Sequence, residues 1–154
     1  MAIQHNQVPQ QRLPNDDGWI KVILGNYEKF HASIPNYSEQ FLYHIHLEAG
    51  KNFTISFAEH TEVAAFLPTA NATLNDAGFE AGEFIEFNRN AGEIAIANPS
   101  KEAIDILLFG GEPYREPIVA EGPFVMNSQS EIADAYRDFY AGKYGEINHQ
   151  KGKV

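Results

Sequence analysis

Short segments in which apolar and polar residues alternate make up most of the chain between residues 19 and 109. The clearest runs from Phe41 to Leu47, where aromatic and aliphatic residues occupy every second position. Alternation with a period of two is typical of strands that bury one face, and turn residues such as Ala49-Gly50 separate the segments. Many short strands at this spacing predict an all-β fold, an antiparallel sandwich or barrel. The predicted strands are 19–24, 41–47, 53–57, 63–67, 73–74, 83–87, 94–96 and 103–109, with Phe79 following a turn at 75–78.

A proline-rich segment follows the last predicted strand. Gly110-Gly111 ends that strand, and Pro113, Pro117 and Pro123 come next. Each proline fixes its own φ angle and biases the preceding residue away from helix, so the segment fits neither a helix nor a sheet interior. We predict an extended strap whose apolar residues cover part of the outside of the β-structure.

One helix is predicted, from residue 128 to residue 142. Ser128 and Glu131 have the spacing of a capping box, in which the hydroxyl and the carboxylate each satisfy a free backbone N–H group. Gly142 is placed to end the helix. The residues at i, i+3, i+4 and i+7 of its apolar stripe are Ile132, Ala135, Tyr136 and Phe139.

These segments divide a chain of 154 residues, which is long enough for one domain with a substantial core. The predicted layout is an N-terminal arm at 1–17, a barrel at 18–112, the strap at 113–127, the helix at 128–142 and a tail at 143–154.

The strap carries the longest motif of the sequence. Gly-Glu-Pro-Tyr-Arg-Glu-Pro at 111–117 is followed by Gly-Pro-Phe-Val-Met-Asn at 122–127 and then by the helix. This pattern resembles the C-terminal half of the pirin family. The resemblance implies a single cupin-like, jelly-roll β-barrel with the strap and the helix packed outside it. It departs from the family in length, since pirins resemble two cupin barrels in tandem. The positions that carry the resemblance are Gly111, Glu112, Pro113, Glu116, Pro117, Gly122, Pro123, Phe124, Met126 and Asn127.

Net charge and cysteine content argue against several classes of function. The formal net charge is −10 at pH 7 and the sequence pI is near 4.9, which disfavours binding to nucleic acid and to anionic membranes. Without cysteine there are no disulfides, no thiolate metal ligands and no cysteine nucleophile. No apolar run approaches the ~20 residues of a membrane-spanning helix, so we expect a soluble cytoplasmic protein.

The resemblance also sets a test for a metal site, because cupin barrels hold a metal ion with histidines and a carboxylate in the barrel interior. We align the first glycine of the first cupin motif with Gly50 and that of the second motif with Gly82. The resulting ligand positions are Ser56, Ala58 and Glu62 for the first motif and Glu93 for the second. Two carboxylates are too few for a tight transition-metal site, so we expect no cofactor and assign no catalytic residue.

The alternative metal site consists of His44, His46 and Glu48, which share one face of a predicted strand and would suit iron or another divalent transition metal. The opposite set, beginning with Phe41, is the better core face, so we predict the histidines on the solvent face. The sequence alone leaves open which face points into the barrel. The histidines predicted to be merely exposed are His5, His31 and His149.

Three functions from different classes remain. The favoured one is a metal-free binding or structural module that forms a homodimer or pairs with a separate pirin-type N-terminal barrel, because an uncovered apolar face is a liability. The second is a quercetinase-like dioxygenase, which the resemblance implies for some pirins and which would have to use His44 and His46. The third is a carrier that holds a small-molecule ligand in the barrel interior.

Overall fold

The computed structural model describes residues 3–90 and 92–145, which form two compact units, residues up to 113 and residues from 114. In chain order the strands are β1 (Gln10–Arg12), β2 (Gly18–Leu24), β3 (Asn26–Tyr27), β4 (Phe30–His31), β5 (Gln40–Leu47), β6 (Asn52–Phe57), β7 (Glu62–Phe66), β8 (Ala72–Leu74), β9 (Ala77–Phe79), β10 (Phe84–Glu86), β11 (Gly92–Ala97), β12 (Ile104–Gly111), β13 (Val119–Glu121) and β14 (Phe124–Met126). The helix α1 is Gln129–Tyr140. Within the described residues, no helix is long and apolar enough to cross a membrane.

Two large antiparallel sheets form most of the first unit, as the alternating pattern predicts, and β3 and β4 add a separate two-stranded sheet. The larger sheet has the order β1-β2-β5-β12-β7-β10, and the smaller has the order β6-β11-β8-β9. Both sheets contribute to one hydrophobic core. Residues that represent it are Ile20, Ile45, Ile106 and Leu108 from the larger sheet and Ile55, Leu74 and Ile96 from the smaller. Burying an aliphatic side chain of this size contributes about 1.5–3 kcal/mol, so the core is the main source of stability.

The strand β5 shows which face of its alternating pattern is the core face. Phe41, Tyr43, Ile45 and Leu47 are buried, and His44 and His46 lie on the opposite face. This confirms the preference for the aromatic and aliphatic set.

The N-terminal arm and the stretch after residue 25 contain strands that the sequence pattern does not predict. β1 pairs with β2, with Gln10 opposite Lys21, and β3 pairs with β4, which places His31 in a strand, still exposed as predicted. Both pairings depend on backbone hydrogen bonds at the edge of a sheet or in a short hairpin. These short strands bury few side chains, so their sequences do not need alternating apolar residues.

The second unit begins with a hairpin where an extended strap is predicted for residues 113–127. β13 and β14 pair antiparallel, with Val119 opposite Met126. Gly122 makes the reversal possible because its φ angle of 56° lies in the left-handed region that glycine adopts without strain. A Cβ atom at this position would also lie 2.3 Å from the hydroxyl oxygen of Tyr136.

The helix α1 lies within the predicted range 128–142: it begins after the N-cap Ser128 and ends at Tyr140, two residues before Gly142, and its capping box differs in one bond. The Ser128 side chain accepts a hydrogen bond from the Glu131 N–H group, but the Glu131 carboxylate accepts one from the N–H group of Asn127, one residue earlier than expected. Gly142, with a φ angle of 72°, follows the C-cap in a Schellman arrangement. Of the predicted stripe, Ile132 and Ala135 are buried, whereas Phe139 is 54% exposed. That the helix packs on the outside of the barrel stays a prediction.

Candidate functional site

The predicted histidine pair lies on the outer face of the larger sheet, where three neighbouring strands bring polar and aromatic side chains together. In the register of the sheet, Trp19 on β2 and Asp105 on β12 both lie opposite His46 on β5. Residues directly opposite one another on one face of a sheet are nearest neighbours. We call His44, His46, Asp105 and Trp19 the outer-face cluster.

One carboxylate oxygen binds both imidazoles of this cluster. His44 Nε2 is 2.8 Å from Asp105 Oδ1, and His46 Nδ1 is 2.9 Å from the same atom. Both nitrogens donate, because an ionised carboxylate can only accept. Trp19 covers the pair from the other side: its ring stacks on His46 with centroids 4.9 Å apart and an interplanar angle of 7°, and it meets His44 edge-on at 4.8 Å.

The position of Asp105 also perturbs its acidity. Partial burial raises the pKa of the Asp105 carboxyl, but the hydrogen bonds and electrostatic interactions with His46 and His44 outweigh burial, so the pKa is lowered from its ordinary value of 3.8. The cluster therefore stabilises the carboxylate form.

The lowered pKa of Asp105 predicts a specific loss of stability in acid. Stability from this carboxylate is fully present above its ordinary pKa of 3.8 and is lost as the pH falls through the lower folded-state pKa. We expect Asp105→Asn to lower the melting temperature by a few degrees at about pH 6, and the difference from the unmodified protein to shrink at about pH 3. Calorimetry across this range measures it.

The matched control for this prediction is Asp134→Asn, which removes an exposed carboxylate paired with Arg137 on the helix surface. We expect it to change the melting temperature little at any pH, because exposed ion pairs contribute little. A difference between Asp105→Asn and the unmodified protein that does not vary with pH would contradict the role assigned to Asp105.

The outer-face cluster does not fit a metal ion in this arrangement. His46 Nε2 is 3.8 Å from Glu48 Oε1, and both imidazoles turn a nitrogen toward Asp105 rather than toward a shared open point. Within residues 3–90 and 92–145, no three His, Cys, Asp or Glu side chains are placed to hold one ion. The histidine side chains are 31% and 21% exposed, so they lie on the solvent face as predicted but are partly covered by their neighbours.

Lys21 extends the cluster along β2. The residue is only 5% exposed, and its ammonium lies 3.0 Å from ring nitrogens of His5 and 4.9 Å from the centroid of the Trp19 ring. A buried ammonium needs such an acceptor and such an aromatic face. His5, predicted to be simply exposed in a tail, is exposed but bound to this lysine, while His149 lies outside the described residues.

The positions taken from the cupin motif do not meet in the interior. Ser56 and Glu93 lie opposite one another on β6 and β11, but both are exposed and alternate with buried Ile55 and Ile94. They therefore face outward from the smaller sheet. Glu62 begins β7, where its carboxylate forms an ion pair with Arg89, and Ala58 follows β6.

The motif in the strap has a structural role in the second unit. The Asn127 side-chain amide donates to the Pro117 carbonyl oxygen at 3.0 Å and to the Tyr114 hydroxyl, whose oxygen is 3.4 Å from a Glu116 carboxylate oxygen. Phe124 packs edge-on against Tyr136 at 5.0 Å. These contacts hold the two ends of the hairpin segment together.

Comparison with solved structures defines the class of this fold as a cupin. A crystal structure of quercetin 2,3-dioxygenase from Acinetobacter baumannii matches with a TM-score of 0.84 and 27% sequence identity, over 96% of this chain and 51% of that one.

The family model of the pirin C-terminal cupin domain matches residues 42–145, and the chain belongs to this family. It is 26% identical to a Pseudomonas aeruginosa protein provisionally named as a quercetin 2,3-dioxygenase, over 89% of this chain and 47% of that protein. It is 41% identical to rat pirin over 71 residues, 43% of this chain and 24% of pirin. The chain thus spans about half the length of the first two of these relatives.

Proposed function

We propose that this chain is a metal-free cupin module that functions by binding a second cupin barrel, either in a second copy of itself or in a separate pirin-type N-terminal chain. The observation that carries the proposal is the match to the Acinetobacter baumannii structure, which includes 96% of this chain but 51% of the other. In that relative, a domain of this kind shares its chain with a further segment of similar length. A surface suited to a neighbouring barrel is therefore expected here.

An aromatic patch on the larger sheet supports the proposal. Phe84 on the edge strand β10 is 61% exposed, and its ring lies 5.8 Å from the ring of Phe109 on β12. Phe66 on β7 lies opposite Phe84 and also opposite Leu107. Clustered apolar side chains beside a sheet edge are typical of interaction surfaces, because both the side chains and the free backbone groups gain from being covered.

The net negative charge predicts that salt affects the two possible kinds of association differently. Two copies that each carry a net charge of −10 repel one another, and added salt screens that repulsion. Self-association should therefore strengthen with salt, whereas binding to a partner barrel should weaken with salt if that barrel carries positive charge.

The test is the solution mass of the untagged protein by light scattering, over a range of concentrations and salt. We expect Phe84→Glu to weaken association at least about tenfold, since removing a central aromatic contact costs more than about 1.4 kcal/mol. The control is Ala95→Glu, which adds the same charge on the exposed face of the smaller sheet.

Two results would contradict the proposal. One is a protein that is monomeric under all conditions and binds no pirin-type N-terminal barrel offered to it. The other is equal weakening of association by Phe84→Glu and Ala95→Glu, which would assign the effect to charge alone.

A dioxygenase is the second candidate, favoured by the name of the Acinetobacter baumannii relative. It would require a bound metal, which the outer-face cluster does not fit in its present geometry. Elemental analysis of the same sample tests it: a near-stoichiometric transition metal that is lost in His44→Ala would favour the dioxygenase over a metal-free module.

A further inference from the structure

The strand β6 forms one edge of the smaller sheet, and its sequence lacks the features that protect such edges. It has six residues, and none of them is charged or proline. In the described part of the chain, the other edge strands of the two large sheets, β1, β9 and β10, have three residues each. A long uncharged edge strand favours pairing with a further strand, because its free backbone groups gain hydrogen bonds.

The hydrogen bonds between β6 and β11 show which backbone groups of β6 point to its free edge, the side away from β11. One position beyond the paired residues, the Asn98 N–H group donates to the Lys51 backbone oxygen at 2.9 Å. In an antiparallel pair, residues bonded in this way alternate with residues whose N–H and C=O groups point away from the neighbouring strand. Counting from Lys51, the β6 residues whose backbone groups point to the free edge are Asn52, Thr54 and Ser56.

Ala95 on β11 supports this assignment. It lies opposite Thr54. Its N–H group donates to the Asn75 side-chain oxygen and its own oxygen accepts from the Asn75 N–H group, both at 2.9 Å and both on the far side of β11. Within residues 3–90 and 92–145, no group forms a hydrogen bond with the outward-pointing backbone groups of β6.

The free edge of β6 is also open to solvent along its length. A cavity of about 450 Å³ adjoins residues 54–58, and another of about 330 Å³ adjoins residues 52–54. Tyr27 and Glu28, at the end of β3, line both cavities on the side opposite the strand. A further strand therefore finds space beside the outward-pointing backbone groups.

The sequence of β6 is complementary to a second copy of itself. Two antiparallel copies related by a two-fold axis through Ile55 place Thr54 of one copy opposite Ser56 of the other, so that their outward-pointing groups pair. The same register places Phe53 opposite Phe57 of the second copy. Aromatic pairs of this kind stabilise antiparallel strands.

The charges that flank β6 favour this antiparallel arrangement. Lys51 precedes the strand, and Glu59 follows it by two residues. With Ile55 on the axis, each of these residues lies next to the opposite charge of the second copy, whereas parallel strands would bring like charges together. The Lys51 ammonium already pairs with Asp17 at 2.8 Å, but it has three donors and can bind a second carboxylate.

We propose that two copies of this chain dimerise by antiparallel pairing of their β6 strands, which joins two four-stranded sheets into one continuous sheet. This surface is separate from the aromatic patch around Phe84 on β10. The proposal therefore does not rest on the function proposed above.

The first test removes one outward-pointing N–H group. Every protein in it carries Phe84→Glu, so that the aromatic patch does not hold two copies together. Thr54→Pro keeps the bonds between β6 and β11, because proline is tolerated where an edge-strand N–H group faces solvent. We expect dimerisation, measured by analytical ultracentrifugation, to weaken at least about tenfold. The control Thr54→Val retains the N–H group and should dimerise normally, and both variants should keep the circular dichroism spectrum.

The second test examines the register, in the same Phe84→Glu background. Lys51→Glu and Glu59→Lys each place like charges together and should weaken dimerisation about threefold or more. A mixture of the two variants restores opposite charges at both ends of the strand pair. With one variant labelled with ¹⁵N, native mass spectrometry should therefore show more mixed dimer than random pairing gives. The matched controls are Lys101→Glu and Glu102→Lys, at exposed positions outside β6, and their mixture should pair at random.

Three results would overturn the proposal. They are equal weakening by Thr54→Pro and Thr54→Val, random pairing in the mixture of Lys51→Glu with Glu59→Lys, and a Phe84→Glu protein that stays monomeric at all concentrations. If the last result were obtained while the protein with Phe84 intact dimerised, the aromatic patch would remain the interface and only the pairing through β6 would fail.

Discussion

Replacing Gly110 by alanine should destabilise the first unit by about 3 kcal/mol or more. Gly110 lies in β12, between β5 and β7, with Phe41 and Val63 as its register partners. A Cβ atom at this position would lie 1.8 Å from the backbone oxygen of Glu62 and 2.8 Å from its carbonyl carbon. Because these are backbone atoms of the adjacent strand, no side-chain rotation relieves the clash, and β12 and β7 would have to separate.

Urea denaturation followed by the fluorescence of Trp19 measures this cost. Gly78→Ala is the control, because Gly78 also lies in a strand but a Cβ atom there would have no neighbour within 4 Å. The control should change the free energy of unfolding by less than about 1 kcal/mol. If the two variants lost equal stability, the close approach of β12 to β7 would be ruled out as the reason for glycine.

The sequence predicts a strand when the residues of that strand alone show which of its side chains are buried and that they alternate with a period of two. β5 is an example: alternation from Phe41 to Leu47 identifies both the strand and its core face, since a period of two assigns each side chain to one side of the sheet. β1 and the β3–β4 hairpin are stabilised by backbone pairing with little burial, so they leave no such pattern. The β13–β14 hairpin is obscured by prolines, although Gly122 marks its turn.

The candidate site shows the limit of the same reasoning. His44 and His46 are found from their spacing, but Asp105 lies 61 residues from His44 in sequence, and only the pairing of β5 with β12 brings them together. One signal was present: Asp105 is the only charged residue in the otherwise apolar segment 103–109. Trp19 could not have been placed opposite His46 without knowing that β2 pairs with β5.

The positions assigned from the cupin motif do not form a site in the interior, and the reason is again the arrangement of the strands. The spacing places Ser56 and Glu93 at ligand positions, and the structure does bring them opposite one another across β6 and β11. Both nevertheless face outward, because their neighbours Ile55 and Ile94 occupy the core face and side chains alternate along a strand. A motif count that tolerates an error of one residue therefore identifies the correct strands without identifying the correct face.

Asn98 has a structural role that the sequence pattern does not reveal, and we expect its replacement to have a large effect on the free energy of unfolding. The residue is 1% exposed and lies between β11 and β12. Its side-chain amide has two N–H groups, which are shared among the carbonyl oxygens of Leu47, Glu48 and Glu102 at 3.2, 3.0 and 2.7 Å. Its side-chain oxygen accepts from the N–H group of Ser100 at 3.0 Å and from the Ser100 hydroxyl at 2.8 Å. One side chain thus joins the end of β5 to the turn that leads into β12.

We expect Asn98→Ala to lower the free energy of unfolding by about 3 kcal/mol, because the buried Leu47 carbonyl group would lose its donor and the contacts to Glu48, Ser100 and Glu102 would be lost with it. Asn98→Asp should cost at least as much, since it keeps an acceptor for Ser100 but removes every donated bond and adds a buried charge. Asn52→Ala, at an exposed position on β6, is the control and should cost less than about 1 kcal/mol. A small effect of Asn98→Ala in the same urea titration, matching that of Asn52→Ala, would mean that the β5 terminus is held by the sheet alone.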